Sequence, residues 1–496
     1  MKILIANRGE IAVRIMQACR DLRYSSVAVY SDTDRKALHT RYADEAVYIG
    51  PTPASQSYLN IDAILSAAHK SGADAVHPGY GFLSENSEFA EKVEEEGFIF
   101  IGPTPQSIAL TGDKLAARRI AAKAGVPVLP GCDFAISNNQ ILETIRAEIG
   151  FPVLIKAVSG GGGRGIRLAS SEDELKNVIV SASQEAKLAF GDDHVYIEKF
   201  IQPARHIEVQ ILGDGKGNVL VIGERECSIQ RRHQKLIEES PAPRLGTFSR
   251  SRLHDAARKI GLALNYRSLG TVEFLMDSNR EFYFIEVNPR IQVEHPITEM
   301  VTGIDLVNAQ LLLATSGCLT IKQDQIKLCG TAIEARIIAE DSGQSFMPTS
   351  GQISYLKIPS GFGVRVDSAL YQGMWVTTDY DSLIAKLIVW GEDRSTAIRR
   401  MIGALNDFQI AGVTTDLCYL RDVVRSEAFL SAEVDTMYLK SFQPPELEEL
   451  EILEKETSLA TALFIHKELK QKARQTAKAI SHWRTVAWRE QMVGNY

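Results

Sequence analysis

KAVSGGGGRGIRL, residues 156–168, is the stretch on which the reading of this chain turns. Glycine gives up more conformational freedom on folding than any other residue, so a run of four is kept where bare backbone must approach something closely. Phosphate is the first candidate, and two glycine loops serve it. The G-x-x-x-x-G-K-[ST] loop occurs nowhere in the chain. Gly160, Gly162 and Gly165 do satisfy G-x-G-x-x-G, but that fingerprint must open a helix. Here "IRLAS" follows, a returning strand, and the dinucleotide reading falls. What remains is a hairpin tip with Lys156 on its incoming strand and Arg164 at the tip. Such a flap can lay backbone N–H groups on phosphate oxygens. An idle surface loop would not need the two cations.

On either side of this loop the pattern changes. Upstream, "KILIA", "SVAVYS", "ADAVHPGYG" and "FIFIGP" alternate with helical periods such as "IAVRIMQACRDL". That βαβ rhythm predicts a parallel sheet covered by helices. From about residue 150, strands such as "RHIEVQIL", "NVLVIGERECSIQ", "GTVEFLMD" and "EFYFIEVN" follow one another with turns between them, which predicts an antiparallel region. A further mixed segment starts near 331 and ends at "SFQPPE". Beyond it the chain turns acidic, then basic, with helical spacing.

In "GTVEFLMDSNREFYFIEVNPR", 270–290, a hairpin is expected with its turn near Ser278–Arg280. With Asn279-Arg280 as a two-residue loop, Glu273 faces Glu286. Like charges on facing positions destabilise a sheet unless a cation lies between them, and oxygen ligands suit Mg²⁺ or Mn²⁺. Asn288 shares the face of Glu286 by the period of two. In "NPRIQVEHP" an extended chain projects Arg290, Gln292 and Glu294 to one side, a grouping suited to holding a small oxyanion and removing its proton. His206, Glu208 and Gln210 alternate onto one face. Gln230, His233 and Lys235 stand in a run too polar for a strand interior, close to Glu238 and Glu239.

The bulk numbers narrow the field. At 496 residues the chain exceeds one core and predicts three or four domains. A net charge of −7 gives no reason to expect a nucleic-acid partner. Six scattered cysteines without a C-x-x-C pair read as reduced thiols of a cytoplasmic protein. No apolar run reaches membrane-spanning length, so no membrane partner is expected.

Taken in order, "ILIANRGEIAVRI", "HPGYGFLSEN", "KAVSGGGGRGI", "ECSIQRRHQK", "FIEVNPRIQVEH", "EARIIAED" and "DYDSLIAKL" resemble biotin carboxylase, an ATP-grasp enzyme, from residue 1 to about 445. The resemblance implies an α/β and α+β multidomain fold. A Rossmann-like domain would span 1–113 without binding a dinucleotide. An ATP-grasp domain would span 114–330 with a mobile lid at about 131–203. A C-terminal biotin carboxylase domain would span 331–445, and a helical tail 446–496. It further implies that ATP and bicarbonate form carboxyphosphate, and that biotin is then carboxylated as the first half-reaction of an acetyl-CoA, propionyl-CoA or pyruvate carboxylase.

Position by position, the resemblance puts Lys114 and Lys156 on ATP phosphates under a flap containing Gly162 and Gly163. Glu198, Lys199 and Ile201 form the adenine-side hinge. His206, Gln230 and His233 contact ribose or phosphates, and Leu275 the base. Lys235 meets the γ-phosphate. Glu273 and Glu286 hold Mg²⁺ (or Mn²⁺) with Asn288 nearby. Arg290, Gln292 and the backbone of Val293 hold bicarbonate, Glu294 is the base, and Arg336 stabilises the biotin enolate. With no Met-Lys-Met setting in the sequence, biotin is expected on a separate carrier protein, with a carboxyltransferase subunit as acceptor and a homodimer as the assembly. The alternatives are another ATP-grasp ligase, such as a carbamoyl-phosphate type enzyme, and a non-catalytic nucleotide-binding scaffold. The scaffold reading is weakened by intact Lys235, Glu294 and Arg336.

Overall fold

Five short apolar strands open the chain: Lys2–Ile5, Ser25–Ser31, Glu45–Gly50, Ala75–His77 and Ile99–Phe100. They form a parallel sheet in the spatial order third, second, first, fourth, fifth. Helices Gly9–Asp21, Ile61–Ser71 and Ser87–Glu95 connect them; Asn60 and Asn86 cap the latter two by accepting from the N–H groups of Ala63 and Phe89. This is a computed structural model, and it describes residues 1–134, 143, 145–157, 166–190, 194–444, 457–467, 469, 470, 486 and 489. The chain divides into two compact units, 1–442 and 443–496.

Nucleotides bound by such a parallel sheet lie along the carboxyl ends of its strands. Here protein takes that ground. The Tyr380 hydroxyl donates to the Thr52 carbonyl at 2.5 Å and lies 2.8 Å from Ser31 Oγ, just past the ends of the third and second strands. Its ring stands edge-on to Tyr58 and Phe82, and the Arg8 guanidinium lies 4.5 Å from the ring centroid. The first sheet is thereby a dock for the segment around Tyr380.

The second sheet has eight strands, all antiparallel neighbours, in the order Phe282–Asn288, Arg267–Asp277, Ala204–Asp214, Val219–Arg231, Gln234–Ser240, Thr331–Ile338, Leu383–Gly391 and Val364–Ser368. It runs without interruption across residue 330, because Thr331–Ile338 pairs directly with Gln234–Ser240. One apolar cluster, including Ile207, Val209, Val272, Phe274 and Val287, lies under helices Lys114–Lys123 and Thr247–Ala263. Another, including Ile333, Ala335, Leu387 and Met401, lies under helix Arg394–Asp407.

A four-stranded sheet, Gly131–Phe134, Val195–Lys199, Val153–Ala157 and Ile166–Ala169, packs against helix Glu172–Phe190 around its own core. Lys156 pairs antiparallel with Ile166, so the strand after the glycine run does return beside the strand before it. Gly162 and Gly163 lie outside the described residues. In the second unit, residues 457–467 are helical and expose Leu459, Leu463 and Phe464.

The expected hairpin is present, but not by the expected turn. Its loop has three residues, Ser278–Arg280: Arg280 takes φ +66° and donates its N–H to the Asp277 carbonyl, and Asp277 pairs with Glu281. Three-residue loops of this kind end in a left-handed residue. By itself that turn would move the register by one. A bulge between Glu273/Phe274 and Glu286/Phe284, with Ile285 as the extra residue, moves it back, and Glu273 does face Glu286. The bulge also changes which face Glu286 uses. Phe282 and Phe284 point into the core, so unbroken alternation would have sent Glu286 there too. If Tyr380 is the dock described above, Tyr380→Phe will cost about 1 kcal/mol of unfolding free energy in urea titration, through loss of its hydrogen bonds.

Candidate active site

On the polar face of the large sheet, registers bring charged residues into line. Glu286 faces Glu273, Glu273 faces Glu208, and Glu208 faces Arg225, across four strands. Three adjacent buried carboxylates need cations. Arg225, fully buried, reaches Glu208 with its Nε, Gln210 and Thr298 with Nη1, and Thr271 with Nη2. Lys235 supplies the second charge. Its Nζ lies 2.6 Å from Glu208 Oε2, 2.9 Å from Glu273 Oε1, 2.7 Å from Glu294 Oε1 and 3.3 Å from Gln292 Oε1.

Lys235 is aimed by a strained turn. Arg232 and His233 join two strands with φ of +50° and +66°, the left-handed region that costs a non-glycine residue on the order of 1 kcal/mol. The hairpin is held from outside. The Arg231 guanidinium lies 3.8 Å from the Phe346 ring centroid and donates to the Ser345 carbonyl at 2.8 Å.

Glu294 ends a turn ahead of helix His295–Thr302, so the segment is extended only through Gln292. Arg290, Gln292 and Glu294 therefore do not project together as three residues of one strand. Gln292 donates to Glu273 Oε1 at 3.3 Å, and Glu294 meets Lys235. Arg290 turns to Glu85, in the "GYGFLSEN" loop, and to Asn288 Oδ1 at 3.1 Å. The Val293 carbonyl accepts from the fully buried Lys386 at 3.0 Å. The other Glu294 oxygen receives Arg336 Nη2 at 2.9 Å, while Arg336 Nε donates to Glu238 at 2.6 Å.

These pairings set the ionisation. Burial alone would raise Glu294, but Lys235, then Arg336 and Arg225, hold it well below the usual carboxylate range. Glu273 is likewise held well below against its burial, by Lys235 and His206. Glu286 moves the other way: burial raises it and the Glu273 charge adds, with Lys114 and Lys156 only partly opposing. So one facing carboxylate is compensated and the other is not. A divalent cation between Glu273 and Glu286 fits that imbalance, and an oxygen donor set suits Mg²⁺ or Mn²⁺. Asn288 donates to Glu273 Oε1 at 3.0 Å and gives its own oxygen to Arg290. His206, Glu208 and Glu273 form a second grouping, with ligand atoms within 4.8 Å of one another.

The remaining predicted residues lie around this row. Buried Lys156 pairs with Glu198. Lys114, at the start of its helix, is lowered by burial and sits in the field of Glu286, Lys156 and Glu198. His233 is lowered by burial and by Lys156. Gln230 Nε2 is 3.5 Å from His206 Nδ1, and His206 Nε2 is 3.0 Å from Glu273 Oε2. Leu275 faces His206 across the strands. Lys199 Nζ is tied to the carbonyls of Gly150 and Phe151, and Ile201 is half-buried two residues on. Sequence reasoning left out Arg225, Glu85 and Lys386. Two of these carry a readable signal, a cation set inside the apolar runs "VLVIGERECSI" and "LIAKLIV".

A biotin carboxylase N-terminal domain model matches residues 1–108, and a biotin carboxylase C-terminal domain model matches 334–441. Between them, residues 113–322 match the ATP-binding domain of the carbamoyl-phosphate synthase L chain. Biotin carboxylase 1 of Bacillus subtilis is 50% identical over 442 residues, 89% of this chain and 98% of that protein. The chain belongs to the biotin carboxylase family. A biotin carboxylase from Campylobacter jejuni in complex with β,γ-ATP superposes with a TM-score of 0.86 at 46% identity, covering 89% of this chain and 98% of that one. The biotin carboxylase domain dimer of Hydrogenobacter thermophilus 2-oxoglutarate carboxylase, solved with MgADP, ADP and bicarbonate, gives 0.85 at 44%, covering 88% and 97%. The activity of this biotin carboxylase is ATP-dependent carboxylation of biotin, and nothing favours the alternative ligase.

Two measurements probe the charge row. Lys235→Met leaves three buried carboxylates short of a cation and will destabilise the fold by about 3–5 kcal/mol near neutral pH. Wild-type Glu273 and Glu294, held low, stabilise above the unfolded carboxylate value and lose that contribution as pH falls through their folded values. In the variant those values rise. The gap between the two proteins in urea unfolding will therefore narrow as pH drops toward about 4.3. Glu286→Gln removes the uncompensated charge. It will raise stability without metal by about 0.5–1 kcal/mol and shrink the rise in Tm that MgADP produces.

Proposed function

We propose that the row divides the half-reaction among its residues in the following way. Lys114, Lys156 and the flap with Gly162 and Gly163 take the ATP phosphates, and Glu198, Lys199, Ile201, His206, Gln230, His233 and Leu275 surround the rest of the nucleotide. Glu273 and Glu286, with Asn288 beside them, hold Mg²⁺, which neutralises charge on the transferring phosphoryl group. Arg290, Gln292 and the Val293 backbone seat bicarbonate. Glu294 takes its proton, and Lys235 steadies the phosphoryl end and the carboxyphosphate. Arg336, on the opposite side of Glu294, stabilises the enolate form of biotin.

The observation that carries this reading is the shared carboxylate. One Glu294 oxygen meets Lys235 and the other meets Arg336, so the base lies between the cation assigned to phosphate and the cation assigned to biotin. Its low ionisation keeps it deprotonated and ready to accept, and displacement of Lys235 toward phosphate would strengthen it as a base. Closure of the four-stranded lid would shield carboxyphosphate from water.

Biotin is presented by a separate carrier protein and a carboxyltransferase subunit accepts the carboxyl group; that part of the proposal rests on the lack of a Met-Lys-Met setting in the sequence. The enzyme works as a homodimer in the cytoplasm, the dimer being supported by the assembly of the Hydrogenobacter relative. Among the described residues no single helix is long and apolar enough to cross a membrane. The deciding assay is bicarbonate-dependent ATP cleavage with and without free biotin. Biotin-stimulated turnover is expected, falling by about 10²–10⁴ in Glu294→Gln. Cleavage indifferent to that substitution would remove Glu294 from the role of base.

A further inference from the structure

Two residues before Arg336, on strand Thr331–Ile338, Glu334 is fully buried and neither of its carboxylate oxygens has a hydrogen-bond partner. Buried polar groups are otherwise almost always paired, so this one calls for a reason. It directly faces Glu238 across the antiparallel pair. Glu238 is also fully buried; its Oε1 accepts from Arg336, and its Oε2 has no partner. Three orphaned oxygens thus sit on two facing glutamates, whose Cβ atoms in such a pair are about 5 Å apart.

Two ionised carboxylates cannot share a dry site. The cations nearby are already engaged. Lys386, from the next strand, is held by Glu10 at 3.1 Å and the Val293 carbonyl at 3.0 Å, and Arg336 is divided between Glu238 and Glu294. Helix His295–Thr302, packed on the same strand, brings His295 and Glu299. His295 is kept neutral by burial, and Glu299 is paired with Arg14 and Arg365. No cation is left for Glu334. A proton resolves the conflict: an O–H on Glu334 donates to the orphaned Oε2 of Glu238, leaving Glu238 ionised toward Arg336.

We propose that Glu334 is a positioning residue, held as a neutral carboxylic acid that orients the Glu238 carboxylate and, through it, the guanidinium of Arg336. Its environment agrees. Burial pushes Glu334 well above the ordinary carboxyl range, with Glu238 and Glu294 adding to the shift and Lys386 and Arg336 opposing it. Glu238, raised to about 7 by burial and Glu294 against Arg336 and Lys235, titrates second. The proposal rests on the reading that Arg336 acts on biotin and deepens it.

The test compares Glu334→Gln, which keeps a donor, with Glu334→Leu, which keeps the volume and loses it, beside Arg336→Met. Glu334→Gln should hold kcat for biotin carboxylation within about threefold of wild type. Glu334→Leu should lose at least about tenfold in kcat, with the KM for ATP and the biotin-independent ATP cleavage unchanged. Equal damage in both Glu334 variants, or none in either, would overturn the proposal. If Arg336→Met leaves biotin carboxylation intact, the reading of Arg336 fails first. Infrared spectroscopy keeps the matter decidable should Glu334→Leu fail to fold. A protonated-carboxyl band present at pH 7 in wild type and missing in Glu334→Gln supports the neutral acid, and its absence from wild type refutes it.

Discussion

The Lys235 ammonium, within 3 Å of Glu208, Glu273 and Glu294, is the contact on which the site depends. Those carboxylates come from three separate segments, and without a shared cation they would repel one another in a region nearly cut off from water. The charge that holds the segments together is also the charge a transferring phosphoryl group needs. Catalytic and structural demands fall on one nitrogen, which accounts for the strained Arg232–His233 turn that aims it. The strain is held by contacts away from the site, chiefly Arg231 on Phe346.

A row of charge on a sheet requires that every strand offer the correct face, and here parity was at risk. The three-residue turn at Ser278–Arg280 moves the hairpin register by one, and the bulge at Ile285 restores it. Two local irregularities cancel, so that Glu286 stands opposite Glu273 while Phe284 and Val287 both stay in the core. Without the bulge, the ligand pair would be traded for a buried, unpaired carboxylate.

That cancellation shows what the sequence could and could not disclose. The facing of Glu273 and Glu286 was legible, though the two-residue loop assumed for it was not the loop that forms. Alternation in "RHIEVQ" placed His206 and Glu208 on the polar face, as the strand pairing has it. Alternation failed at Arg290–Glu294, because the chain turns before its helix, and turns of that kind leave little trace in a polar run. Arg225 and Lys386 were passed over because a single cation in an apolar strand does not name its partners; those lie on other strands and in loops far along the chain. Tyr380 was invisible for the same reason. Its hydroxyl meets Thr52 and Ser31, more than three hundred residues earlier.

The continuity of the large sheet across residue 330 gives the site its coupling. Lys235 and Glu238 lie on one strand, and Arg336 and Glu334 on the next, so cations assigned to opposite ends of the reaction are fixed by adjacent hydrogen-bonded strands rather than by separately moving domains. Glu294 enters from a helix start between them and touches both. A carboxylate shared in this way cannot be released by one cation without tightening on the other. Movement of Lys235 toward phosphate therefore leaves Glu294 and Glu238 as the two anions on Arg336. The guanidinium is then held in place during phosphoryl transfer, in the interval before biotin must be engaged.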